Sequence, residues 1–490
     1  MVWGQVGTRG LDDLASRLAA NDPKLQSLTI LKQRRFGHDD VALLVRSMAS
    51  NTHLTELYAS SHPLTPAAAG LLGDMLAAPA CPLRHLCAGD SSLGDEGVAA
   101  LARGVGATKS LTSLDLAAKG LGPRGAAALA AALATAEPLT HLVLSSNPNL
   151  GDAGLAALCG AASTAAADAA EAGSAAAGAD EGAGAGSSAP APAAPVWAGL
   201  RRLELAGCGV TAAGVRALAS SANAARLEEL RLEGNALGPQ GGEALAALLQ
   251  AATALRSLHL RGTELGDEGG EQLAAALAGA RAPSGEDQAG PSGGGGGRSL
   301  THLDLADCRL GSKTMAALCS ALESGAGSLQ ALVLAGNGAV GDADAAGLGA
   351  ALAARQGPAL QELDLSGTTV GSATLEALSS APGLRQLGLV GCPLGPAGAA
   401  ALASSLRSEG RWADLEGLSV SGTGLGMAEA GALLAALQEG SAPRLTSLEM
   451  GANPATQDDA FPGLLEGLRA ARPGLAVYWR AGDDPAPVSR

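Results

Sequence analysis

One phrase, L-x-x-L-x-L followed by a turn, recurs along nearly the whole chain, and a period of this size constrains the fold more than any other property of the sequence. The phrase begins at Leu25, Leu54, Leu83, Leu111, Leu139, Leu200, Leu227, Leu255, Leu300, Leu329, Leu360, Leu384, Leu415 and Leu445, with a truncated copy at Leu475. Start-to-start spacings are 29, 29, 28, 28, 61, 27, 28, 45, 29, 31, 24, 31, 30 and 30, and only 61 and 45 depart badly from one period. A chain that repeats itself this way builds by stacking, not by closing around one central core.

Within a unit the hydrophobic period changes partway along. Leu114-Asp115-Leu116 and Leu303-Asp304-Leu305 alternate as a short strand with one buried face does. From Leu121 to Leu133 the apolar residues Leu121, Leu129 and Leu133 follow helical spacing, with Ala between them. Gly-Asp or Gly-Pro marks the helix start at Gly94-Asp95, Gly122-Pro123, Gly151-Asp152, Gly238-Pro239, Gly266-Asp267 and Gly395-Pro396. Asp and Pro share a liking for the first helical turn, where a carboxylate meets the positive dipole end and Pro's missing N–H costs nothing. Each unit therefore reads as strand, turn, helix, turn. One unit cannot bury its own apolar face, so neighbours must stack, strand beside strand and helix beside helix.

Composition agrees with such a stack. Of 490 residues, 47% are hydrophobic but only 2% aromatic, so Leu, Ala and Val must fill the interior, and 70 Gly supply the turns. A net charge of -15 argues against a nucleic-acid partner. Seven Cys with no C-x-x-C pair give neither a disulfide framework nor a zinc site and suit a reducing compartment. Residues 1–21 lack a signal-type apolar region and no run of 18 strongly apolar residues occurs, so neither secretion nor membrane spanning is expected.

These units resemble the leucine-rich repeat proteins, and specifically their ribonuclease-inhibitor-like subclass with long helical units. The resemblance covers roughly Leu25 to Leu475, and the stretch from Leu258 through Gly269 to Leu273 and Leu277 follows that subclass in nearly every slot. It implies an α/β solenoid: a curved horseshoe of fourteen strand-turn-helix units, with a parallel concave sheet and helices on the convex side. It also implies that the ninth position bonds the backbone of the turn. That slot holds Asn147, Cys208, Asn235, Thr263, Cys308, Asn337, Thr368, Cys392, Thr423 and Asn453. The first four units depart, with Gln33, His62, Ser91 and Lys119 there, and less regular turns are expected.

The organisation that follows is an N-terminal capping helix within 1–24, carried by Leu11, Leu14 and Leu18, then repeats over 25–161, 200–280 and 300–474. A capping strand and tail occupy 475–490. Between the repeat blocks lie an Ala/Gly/Ser/Pro tract within 162–199 and a Gly-rich tract within 281–299, both expected to be disordered and to emerge on one rim. Aromatics gather towards the ends (Trp3, Phe36, Tyr58; Trp412, Phe461, Tyr478, Trp479), with Trp197 as the exception.

Side chains at the third, fifth and seventh positions of each phrase point away from the helices, so the open face of the sheet can be read off directly. Fourteen strands at ~4.8 Å span about 67 Å, enough for a partner domain. The most charged stretch carries Arg202, Glu204, Glu229, Arg231, Glu233, His259, Arg261, His302 and Asp304. In-register stacking places Glu204, Arg231, His259 and Asp304 in one row, Arg202 and Glu229 in another, and Glu233 and Arg261 in a third. Such ladders either satisfy themselves, at ~0–1 kcal/mol per exposed pair, or steer and orient a partner. A second patch at the N-terminal end holds Glu56, Tyr58, His85, Asp115 and His141, with Tyr58 its best anchor.

Catalytic readings find little support. His85 and His141 are separated by a strand and lack a third ligand, and Cys159 and Cys319 fall in helix patterns where a packed thiol is usual. Gly104 to Ser110 lacks the Gly before Lys that a phosphate loop requires and leads into a strand. Asp95-Glu96 and Asp267-Glu268 fit helix-start charges better than an acid/base pair. The repeat type also resembles the Ran GTPase-activating proteins, which implies a small GTPase as partner and functional Arg and Asn on the turns. Arg34, Arg35 and Asn147 are the positions here that such a role would use, though they lie in no specific matching motif and the acidic tail common in that family is missing. The expectation is a non-catalytic, monomeric, cytoplasmic protein-interaction scaffold with no cofactor, metal, nucleic acid or membrane. Incorporation into a ciliary or cytoskeletal assembly is a further reading.

Overall fold

The computed structural model describes residues 2–3, 11–160, 196–279, 300–324, 328–355 and 359–480. The chain divides into two compact units, Met1–Leu230 and Arg231–Arg490. The tract 281–299 lies outside the described residues, as does 162–199 apart from its last four positions.

In the first unit the strands are β1 (Val2–Trp3), β2 (Ser27–Ile30), β3 (Glu56–Ser60), β4 (His85–Gly89), β5 (Ser113–Asp115), β6 (His141–Val143) and β7 (Arg202–Glu204). Each pairs with the next, always parallel. The helices between and after them are α1 (Leu11–Ala19), α2 (His38–Met48), α3 (Pro66–Ala77), α4 (Gly94–Val105), α5 (Pro123–Leu133), α6 (Gly151–Leu158) and α7 (Ala212–Ala219). The strand β8 (Glu229–Arg231) falls at the division.

The second unit repeats the plan with β9 (Ser257–His259), β10 (His302–Asp304), β11 (Ala331–Val333), β12 (Glu362–Asp364), β13 (Gln386–Gly388), β14 (Gly417–Ser419), β15 (Ser447–Glu449) and β16 (Ala476–Tyr478). These too are parallel and in chain order. Its helices are α8 (Gly241–Ala251), α9 (Gly266–Gly279), α10 (Ser312–Glu323), α11 (Asp342–Ala354), α12 (Ser372–Leu378), α13 (Gly395–Arg407), α14 (Met427–Gln438) and α15 (Phe461–Ala471). Helix packs on neighbouring helix and strand on neighbouring strand, so each unit is an α/β solenoid.

The repeat leucines go inside. The first, fourth and sixth residues of all fourteen phrases, including the substitutes Ile30, Ala59, Ala88, Val420 and Met450, are at most 5% exposed. Small residues let the helices close up: a Cβ on Gly104 would collide with the backbone of Gly73, so α4 sits against α3 only because that position is glycine.

Two sets of polar contacts, the first buried and the second partly exposed, tie several repeats to their neighbours. The ninth-position asparagine reaches backwards: Asn337 Nδ2 donates to the carbonyls of Leu305 and Leu334, while its Oδ1 accepts from the N–H groups of Cys308 and Leu310. Asn147 and Asn453 make the same four bonds in their own turns. Thr263 and Thr368 donate from Oγ1 to Leu260 and Leu365, and Cys308 and Cys392 donate from Sγ to the same two carbonyls. The helix-start aspartate reaches forwards. Asp342 accepts from the N–H groups of Gly371, Ala373 and Thr374, and Asp267 from those of Gly311, Lys313 and Thr314. These carboxylates therefore cap the next helix as well as meeting the dipole of their own, a role the helix-start pattern alone did not disclose.

Four details differ from the sequence reading. His62 and Lys119, expected to loosen their turns, are both 2% exposed: the His62 ring lies 3.3 Å from the Ile30 carbonyl, and Lys119 Nζ donates to Ser60 Oγ. Only Gln33 and Ser91 of that group are exposed. The segment before Leu25 contributes a strand, β1, as well as α1. Trp197, which the sequence reading placed in the insertion, is fully buried, with Nε1 donating to the Leu158 carbonyl. Finally, Val477 stands opposite Leu448, so the last copy of the phrase is shifted by one residue from the start assigned at Leu475.

Candidate functional site

The register of the strands fixes the rows of side chains on the open face of the sheet. In the first unit one row reads Ser27, Glu56, His85, Ser113, His141, Arg202 and the next reads Thr29, Tyr58, Cys87, Asp115, Val143, Glu204. The N-terminal patch is thus brought together on one surface. Tyr58 and His85 lie ring against ring with centroids 4.7 Å apart, and His85 Nδ1 is 2.9 Å from Ser113 Oγ. His85 Nε2 is buried without a hydrogen-bond partner among the described residues. Burial holds the His85 pKa below its usual value, against the opposing pull of Asp115 and Glu56. Burial likewise raises the Tyr58 pKa, with the nearby Glu56 carboxylate adding to it. His141 is engaged sideways, its Nε2 2.7 Å from Glu204 Oε1.

The charged stretch pairs partly within rows and partly across them. Arg202 Nε lies 3.6 Å from Glu229 Oε2, the neighbour expected from register. In the second unit Arg231 lies 3.7 Å from Glu233 on its own segment, and Arg261 donates to Asp307 at 2.9 Å, beyond the strand. Long side chains reach past their row whenever a turn offers a carboxylate, which position counting does not foresee. His259 stands opposite Asp304, and its ring packs on His302 with centroids 4.9 Å apart.

The turn residues singled out for a GTPase role are not together. Arg34 and Arg35 are exposed in the turn after β2, whereas Asn147 is fully buried with both ends of its amide engaged. Among the described residues no group of three or more His, Cys, Asp or Glu is arranged to hold a metal. Burial pushes the thiols of Cys87, Cys208 and Cys319 up to about 11 and that of Cys159 up to about 12, far from the nucleophilic thiolate. No helix among the described residues is long and apolar enough to cross a membrane.

Sequence reasoning passed over one part of the face. In the second unit the rows run Glu362, Gln386, Gly417, Ser447 and Asp364, Gly388, Ser419, Glu449. The glycines leave a depression there, and Gly at the third or fifth slot of a phrase was its legible signal.

Strand, turn and helix stacked in chain order define a class, the proteins built by repetition of one supersecondary unit. Within it, this chain is a leucine-rich repeat protein: the family model described as Leucine Rich repeat matches residues 136–159, 200–219, 226–246, 252–274 and 298–319, and the same phrase recurs beyond them. No curated protein matches the chain. Among solved structures it is similar to a chain of the Rad7 and Elc1 complex in yeast, at 17% identity and a TM-score of 0.42, over 79% of this chain and 75% of that one.

Proposed function

We propose that the protein is a non-catalytic platform that binds a protein partner on the open face of its sheet, and that its repeats are of the ribonuclease-inhibitor-like type. The observation that carries this reading is the division of labour within each phrase. Leucines at the first, fourth and sixth positions are buried, so what remains on the face is a set of aromatic, imidazole and charged side chains held in register. Interface hot spots favour such anchors, and ordered charges set the encounter rate and docking register of a partner. The residues assigned to binding are Glu56, Tyr58, His85, Asp115, His141, Arg202, Glu204 and Glu229 in the first unit. In the second they are Arg231, Glu233, His259, Arg261, His302 and Asp304.

The test is affinity purification of the full chain, identification of the captured proteins, and reconstitution with the purified partner. Arg231→Glu with Arg261→Glu, or Tyr58→Ala, should weaken the reconstituted complex while leaving the unfolding midpoint nearly unchanged. A partner that binds all these variants as tightly as the wild type overturns the assignment of the face.

A further inference from the structure

The depression on the second unit's sheet face has a chemistry of its own. Gly388, Gly417, Ser419 and Ser447 floor a cavity of about 160 Å³ between β12 and β15. A pocket for a drug-sized ligand is ~300–1,000 Å³, so this one has room for a single side chain. Glu362 and Asp364 stand on one side and Glu449 on the other. Side chains from the neighbouring strand lean over both glycines: a Cβ on Gly388 would displace the Asp364 carboxylate, and one on Gly417 the Gln386 amide. At the rim is Val390, 42% exposed and one of the few large apolar side chains left in water among the described residues. The third, fifth and seventh positions of the phrases starting at Leu329, Leu360, Leu384, Leu415 and Leu445 include no Lys, Arg or His. Asp364 accepts from the Ser366 N–H and Glu449 from Ser419 Oγ, both neutral donors, and these face positions supply no cation.

We infer that this notch receives an arginine or lysine projecting from a protein partner, its aliphatic stem lying on Val390 and its charged head between Asp364 and Glu449. Long cationic side chains combine an apolar stem with a polar head, which matches an apolar rim between acidic walls. Carboxylates on both sides favour the guanidinium fork over the ammonium, because two of its edges can be met at once. The inference rests on the proposed platform role but concerns residues separate from those assigned above.

The experiment uses the full chain and a dye-labelled Gly-Arg-Leu-Arg-Gly peptide, with the citrulline version as the uncharged counterpart, read by fluorescence anisotropy. The arginine peptide should bind at least roughly tenfold tighter than the citrulline one, a difference of about 1.4 kcal/mol. That margin should vanish in Glu362→Gln/Asp364→Asn/Glu449→Gln and in Gly417→Leu, which fills the cavity. It should persist in Glu243→Gln/Glu271→Gln/Glu466→Gln, which removes the same charge from exposed helix positions. Equal binding of the two peptides, or equal loss in the helix variant, overturns the notch. Failure of the platform reading shows elsewhere, as unchanged partner binding when Arg231, Arg261 and Tyr58 are altered, so the two outcomes are separable.

Discussion

In the first unit Tyr58, His85, His141 and Glu204 fill the third and fifth slots and engage one another across the sheet, whereas in the second Gly388, Gly417, Ser419 and Ser447 leave those slots hollow. Behind both faces the framework is alike: buried leucines, turn asparagines such as Asn147 and Asn337 reaching backwards, and partly exposed aspartates such as Asp152 and Asp342 reaching forwards. The backbone places a side chain on the face every second residue whatever that residue is. A repeat can therefore change what it offers a partner without disturbing what holds it to its neighbours.

That separation can be broken from the inside. Asn337→Ala should have the largest effect, because it strands two carbonyls and two N–H groups in the interior; a loss of about 4 kcal/mol is expected from urea denaturation. Gly104→Ala, which pushes α4 off α3, should cost about 2 kcal/mol by the same measurement. Asp342→Ala removes a cap on the following helix and should cost about 1 kcal/mol.

The aspartate contacts also carry a pH signature. Burial works to raise the pKa of Asp267 and Asp342, but bonds from the next repeat's Thr314 and Thr374 and the neighbouring backbone outweigh it and leave both below 3.8. Their contribution is whole above 3.8 and falls away as pH drops through the lower folded value. Stability of Asp342→Asn should therefore fall less steeply on acidification than that of the wild type.

Changes on the face should sharpen the contrast by doing little to stability. Tyr58→Ala, which removes the ring contact with His85, should shift unfolding by no more than about 1 kcal/mol while altering partner binding. The smallest expected effect is at His85, whose lowered pKa means that the unfolded chain protonates first below 6.5. Stability should decline slightly as pH falls through that range, and His85→Gln should remove this slope; an NMR titration of the His85 ring reads the same property directly.

Much of this was legible in the sequence because repetition turns one ambiguous pattern into fourteen observations. The strand, the helix and the inward leucines follow from spacing alone, and so do the rows that bring Arg202 beside Glu229. What spacing does not encode is reach. Arg261 passes over its row to Asp307, and Lys119 crosses a repeat to Ser60, because flexible side chains settle on whichever partner the turns provide. The notch was overlooked for a related reason: a list of charged residues registers what is present, and the notch is made by the side chains that Gly388 and Gly417 lack.

The forward and backward contacts between repeats have a consequence for how such an array changes size. A repeat that carries both the turn asparagine and the helix-start aspartate, such as the one with Asn337 and Asp342, presents a plug on each side. Duplicating one such period therefore returns these plugs to matching backbone groups, whereas an insertion of any other length leaves them facing nothing.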